Sequence, residues 1–148
     1  MTVEELRIGN LIGYPNYNND GKLVPFYVRD IYQDDGKIAL TNGVFMLPCS
    51  NIKMLKPIPL TEEWLLNFGF EKGNYKELNE KHFVKKSNTI KVIISGIGFW
   101  DIYTDYNPYQ ITFSTGLNII TDNKGINHVH QLQNLYWCLC GKELEIIT

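Results

Sequence analysis

The chain has 148 residues, 44% of them hydrophobic and 20% charged, with a net charge of −2. That size and balance suit one globular domain that builds its own core, and suggest neither disorder nor a membrane protein. Met1-Thr2-Val3-Glu4-Glu5 carries acid where a secretory signal needs base, and the strongest apolar run, Val92 to Trp100, is far shorter than the roughly 20 residues needed to cross a bilayer. A cytoplasmic protein with no membrane partner is expected.

Short β-type runs open the chain: Ile8 to Tyr14, Val24 to Gln33, Lys37 to Thr41, Val44 to Leu47 and Ile52 to Leu55. They read as an antiparallel meander or an SH3-like barrel. Asn42-Gly43 predicts a two-residue hairpin turn, which needs positive φ at both central positions. Asp34-Asp35-Gly36 predicts another, and the polar stretch Asn16 to Lys22 a surface loop.

After Pro57 and Pro59, Thr61 reads as the N-cap of a short helix over 62–68. Glu62 and Glu63 complement its dipole, Trp64, Leu65 and Phe68 give it one apolar face, and Gly69 suits the left-handed residue that ends it.

The β pattern then returns: Tyr75 to Leu78, Lys81 to Lys86, Thr89 to Ser95, Phe99 to Thr104, Tyr109 to Ser114 and Leu117 to Thr121. Ser87-Asn88 and Thr115-Gly116 supply connections, so a second, hairpin-built sheet is expected. Asn127 and Gly141 bracket a final helix over 128–140, with Val129, Leu132, Leu135, Tyr136, Leu139 and Cys140 on its inward arc. His130, Gln133, Asn134 and Trp137 fall largely outside that arc and predict an exposed polar face. Leu144 to Ile147 reads as an edge strand. The fold class is therefore α+β: two small antiparallel sheets, a short middle helix and a C-terminal helix. One domain, 1–148, is expected, with subdomains 1–60 and 70–148.

Leu6-Arg7-Ile8-Gly9-Asn10, Pro59-Leu60-Thr61-Glu62-Glu63-Trp64-Leu65, and His128-Val129-His130-Gln131-Leu132-Gln133-Asn134-Leu135-Tyr136 with Gly141-Lys142-Glu143-Leu144 resemble short uncharacterised proteins of Bacteroidota phages and prophages. The resemblance covers both ends and the middle helix but not residues 70–122. It implies a mobile-element protein acting in a bacterial cytoplasm, and assigns no functional residue.

The chemistry of catalysis is sparse. His128, His130, Cys138 and Cys140 are competent zinc ligands, but on a helix His130 and Cys138 lie about 12 Å apart along the axis, too far to share one ion. No metal or cofactor is expected. Cys138 and Cys140, with Cys49, read as reduced thiols, because neighbours two apart on a helix point away from each other. The sequence holds no glycine-flanked serine elbow, and Gly96-Ile97-Gly98 lacks the third glycine of a phosphate cradle. The expectation is not an enzyme.

Two segments point to binding. Trp100, Tyr103, Tyr106 and Tyr109 recur every three residues beside Asp101 and Asp105, a spacing that strand alternation cannot bury on one face. Aromatic anchors with acidic neighbours suit a protein or ribonucleoprotein surface and repel a phosphate backbone. With His130, Asn134 and Trp137 they form the candidate partner-binding set, and an inhibitor of a host defence complex, such as an anti-CRISPR protein, is its concrete form. The alternative is an RNA- or DNA-associated β-barrel module using the basic hairpin Lys81, Phe83, Lys85, Lys86 and Lys91.

Overall fold

The computed structural model describes residues 1–15, 22–32, 36–73, 82–86, 90–95, 101–106 and 126–147. The expected runs Tyr75 to Leu78, Tyr109 to Ser114 and Leu117 to Thr121, the Gly96-Ile97-Gly98 bend and most of the loop Asn16 to Lys22 lie outside them. The fold is α+β, with two open antiparallel sheets, a short helix and a longer C-terminal helix.

The first sheet is a meander: β1 (Leu11–Pro15), β2 (Leu23–Tyr32), β3 (Lys37–Thr41) and β4 (Met46–Asn51) lie side by side in chain order. Alternation along β2 buries Phe26 and Val28 and exposes Pro25, Tyr27 and Arg29. Ile12, Ile38 and Leu40 share the inner face with them, and Leu6 and Leu55 close the same core. The outer edge of β1 does not stay open. The Leu11 amide donates to Gln133 Oε1 at 2.7 Å, and Gly13 exchanges two 2.9 Å backbone bonds with Lys56. Glycine suits that close crossing, because an added Cβ would stand 3.1 Å from the Lys56 carbonyl and 2.9 Å from the end of the Leu23 side chain. Closing the edge in this way removes a template for unwanted strand pairing.

Three local expectations change here. Ile8 and Gly9 form a turn rather than a strand, with the Arg7 amide on Asn10 Oδ1 at 2.8 Å and Gly9 at φ 91°. Ile52 to Leu55 is not a strand: Ile52–Met54 is a 3₁₀ turn, nucleated by the Asn51 side chain, which accepts from the Lys53 amide at 2.9 Å. The Asn42-Gly43 hairpin has four loop residues, not two. Thr41 and Met46 are the last paired residues, and Asn42 Oδ1 accepts from the amides of both Val44 and Phe45, at 3.1 and 2.7 Å. An Asn side chain that captures amides two and three residues on holds the wider loop open.

The middle helix α1 (Glu62–Asn67) has the punctuation its sequence predicts. Thr61 Oγ1 accepts from the Trp64 amide at 3.4 Å. At the other end Gly69 adopts φ 74°, its amide bonds the Leu66 carbonyl at 2.8 Å, and the Phe70 amide bonds the Leu65 carbonyl at 3.0 Å. This is the full Schellman arrangement, sealed by buried Leu65 and Phe70.

The second sheet runs β5 (Glu71–Gly73), β6 (His82–Lys86), β7 (Ile90–Ser95) and β8 (Asp101–Tyr106) in chain order. Its register pairs Phe83 with Ile94, Lys86 with Lys91, and Lys91 with Asp105. Chain termination differs from expectation: Leu144 to Ile147 forms no strand, although Leu144 is buried and the Ile147 amide bonds the Asn67 carbonyl at 2.8 Å.

The C-terminal helix α2 is Val129–Cys140. His128, not Asn127, is its cap. The His128 carbonyl accepts from the Leu132 amide at 3.3 Å, and Gln131 Oε1 reaches back to the His128 amide at 3.1 Å, the glutamine half of a capping box. Gly141, at φ 63°, stops the helix with its amide on the Trp137 carbonyl at 2.8 Å. The chain divides into two compact units, Met1–Pro59 with His128–Leu135, and Leu60–Asn127 with Tyr136–Thr148.

Candidate binding surface

The polar residues expected on an exposed face of α2 are not exposed. His130 and Gln133 are each 1% accessible. Gln133 donates from Nε2 to the Gly9 carbonyl at 3.3 Å while accepting from Leu11, and Asn134 Nδ2 donates to the Glu5 carbonyl at 2.9 Å. Asn134 Oδ1 in turn accepts from Asn10 Nδ2 at 2.9 Å and Arg7 Nε at 3.4 Å. These amides satisfy the Glu5 and Gly9 carbonyls and the Leu11 amide, backbone groups that β2 does not reach, while the Gly9 amide and the Asn10 carbonyl bond Val28. Helical periodicity places His130 and Asn134 among the partner contacts because it ranks residues by polarity and is blind to buried polar pairing. Of the three α2 residues in the partner set, Trp137 alone is exposed, at 44%.

In the register of β7 and β8, Asp101 pairs with Ser95, Tyr103 with Ile93, Asp105 with Lys91 and Tyr106 with Ile90. Trp100 and Tyr109 lie outside the described residues. Asp105 is in register with Lys91, and Lys91 with Lys86.

The basic hairpin loses its nucleic-acid character at two positions. Phe83 is buried and cannot stack on a base. Lys85 donates from Nζ to the Phe68 carbonyl at 2.5 Å and lies 5.9 Å from the Phe70 ring centroid, so its charge meets the negative end of α1. Burial holds its pKa below the usual lysine value. Lys81 lies outside the described residues. Cys138 and Cys140 are free thiols, and among the described residues no three His, Cys, Asp or Glu side chains converge as a metal would require.

A different surface appears at the β3–β4 loop. Val44, Phe45 and Met46 are 81%, 65% and 59% accessible, three successive large apolar residues standing in water. The four-residue loop produces this: Asn42 draws Val44 and Phe45 out of the ladder that would have turned alternate residues inward. Met46 sits in register with Thr41 and, one strand further, Tyr27. Arg29 Nη1 rests 2.8 Å from Met46 Sδ, with its Nε 3.5 Å from Asp30. Tyr27, Arg29 and the loop tip thus make one apolar patch with an aromatic and a guanidinium at its border, on the outward face of the first sheet. The sequence does carry a trace of it, since Val44-Phe45-Met46-Leu47 holds four apolar residues in a row, more than one face of a strand can bury.

The fold is that of an α+β protein, and among its described residues the most exposed large apolar side chains stand at the β3–β4 loop tip. No protein-family model matches the chain, and neither a curated protein nor a solved structure matches it. Among the described residues no helix is long and apolar enough to cross a membrane.

Proposed function

We propose that this chain is a non-enzymatic binding protein that acts by occupying the surface of another protein. The observation that carries the reading is the β3–β4 tip. Burying a side chain such as Val44, Phe45 or Met46 releases roughly 1.5–3 kcal/mol, and this protein leaves all three exposed. Tyr and Arg, the residue types that border the tip, are enriched among the anchors that dominate interface energies. A protruding apolar loop calls for a partner with an apolar cleft. The resemblance to phage and prophage proteins makes a host protein or ribonucleoprotein complex the expected partner, and inhibition of a defence complex in the manner of an anti-CRISPR protein the concrete mode. The nucleic-acid alternative is weakened, because Phe83 and Lys85 are committed to the fold.

The test compares the tagged chain with a Val44→Ser, Phe45→Ser, Met46→Ser variant in capture from nuclease-treated bacterial lysate. A stoichiometric protein recovered by the first and reduced at least ten-fold with the second, at unchanged melting temperature, is the expected result. Equal recovery by the variant, or recovery of nucleic acid alone before digestion, overturns the proposal.

A further inference from the structure

The N-terminal residues rest against α2 in an arrangement that the binding surface does not use. Val3–Glu5 is a 3₁₀ turn with no buried residue of its own. It meets α2 through the Asn134 bond to the Glu5 carbonyl and the approach of Glu5 Oε2 to His130 Nε2 at 4.0 Å. His130 is almost completely enclosed, yet neither ring nitrogen has a hydrogen-bond partner. Buried polar atoms are seldom left so, and one that is asks for a reason beyond packing.

The surroundings favour a neutral ring. His130 is the second residue of α2, where the helix dipole opposes a cation. His128 stacks beside it with ring centroids 5.7 Å apart, and the amino group of Met1 adds positive charge. Glu5 is the opposing carboxylate, and one carboxylate at 4.0 Å does not satisfy the two N–H donors of an imidazolium. A protonated His130 gains its missing partners only by reaching water.

We propose that His130 is an acid-sensitive latch, whose protonation lifts the Val3–Glu5 turn from α2 while the sheet beneath stays folded. Leu6 and Leu11 remain buried, and Gln133 still holds the backbone at Gly9 and Leu11, so the release stops at the residues that bury nothing. The direction follows from the ring's environment: burial, with a smaller push from His128, lowers its pKa from 6.5 to about 4. A folded-state pKa below the unfolded one means the stabilisation is complete above about 6.5 and is lost as pH falls toward about 4. The inference stands apart from the proposed partner.

Two measurements on the full chain test it. Histidine ring titration by NMR should give His130 a pKa well below the ordinary histidine value of 6.5. Amide protection factors of residues 3–6 should fall at least ten-fold between pH 7 and pH 4, with those of β2 and β3 unchanged, and His130→Phe should abolish the fall. A ring that titrates near 6.5, protection at residues 3–6 that does not change with pH, or a fall shared equally by β2 and β3 overturns the latch. The titration and the pH series of the unaltered chain decide the question should His130→Phe fail to fold.

Discussion

The two helices teach opposite lessons about what a short sequence window contains. Everything that begins and ends α1 lies within a few residues of it: Thr61 at its start, Gly69 and Phe70 at its end, with donors and acceptors within four or five residues of one another. Gln133 and Asn134 of α2 answer to groups more than a hundred residues away, in residues 5–11. Both helices mix polar and apolar side chains. In α1 the polar ones serve the helix, whereas in α2 Gln133 and Asn134 serve an irregular segment that would otherwise bury unpaired backbone.

That contrast can be broken by substitution. Gln133→Ala should have the largest effect, about 2–4 kcal/mol in chemical denaturation, because it strands the Leu11 amide and the Gly9 carbonyl in a buried site. A loss under about 0.5 kcal/mol would mean that these groups find water, and that α2 is not what holds the first turn. Gly69→Ala should cost about 1–3 kcal/mol, since φ 74° disfavours a side chain and the new Cβ would collide with Ile147. Thr61→Ala should cost the least, about 0.5–1 kcal/mol in thermal melting, given the long 3.4 Å cap bond. If the cap mattered more than Gln133, local punctuation would outweigh the distant amides and the comparison would reverse.

The binding surface shows the same division. Asn42-Gly43 correctly marks a turn, with Gly43 at φ 87°. It does not set the loop length, which depends on the Asn42 side chain choosing the Val44 and Phe45 amides over a tight two-residue turn. That choice exposes Val44 and Phe45, which strand alternation had placed in the ladder. Alternation puts Phe83 and Lys85 on one face of their strand, but periodicity cannot say which face of a strand meets a core. Burial of Phe83, and the Phe68 carbonyl waiting at the end of α1, decide it.

The sequence by itself determined the α+β class, the meander of β1 to β4, the strands β6 to β8 within a few residues, and both ends of α1, because hydrophobic period, turn residues and caps act over distances of a few residues. Only the tertiary structure decided that Gln133 and Asn134 clasp the N-terminal segment, that His130 is sealed beneath it without partners, and that the β3–β4 tip stands out apolar. Each of those outcomes turns on which buried polar group meets which distant partner, and residue type and spacing along the chain carry no record of that pairing.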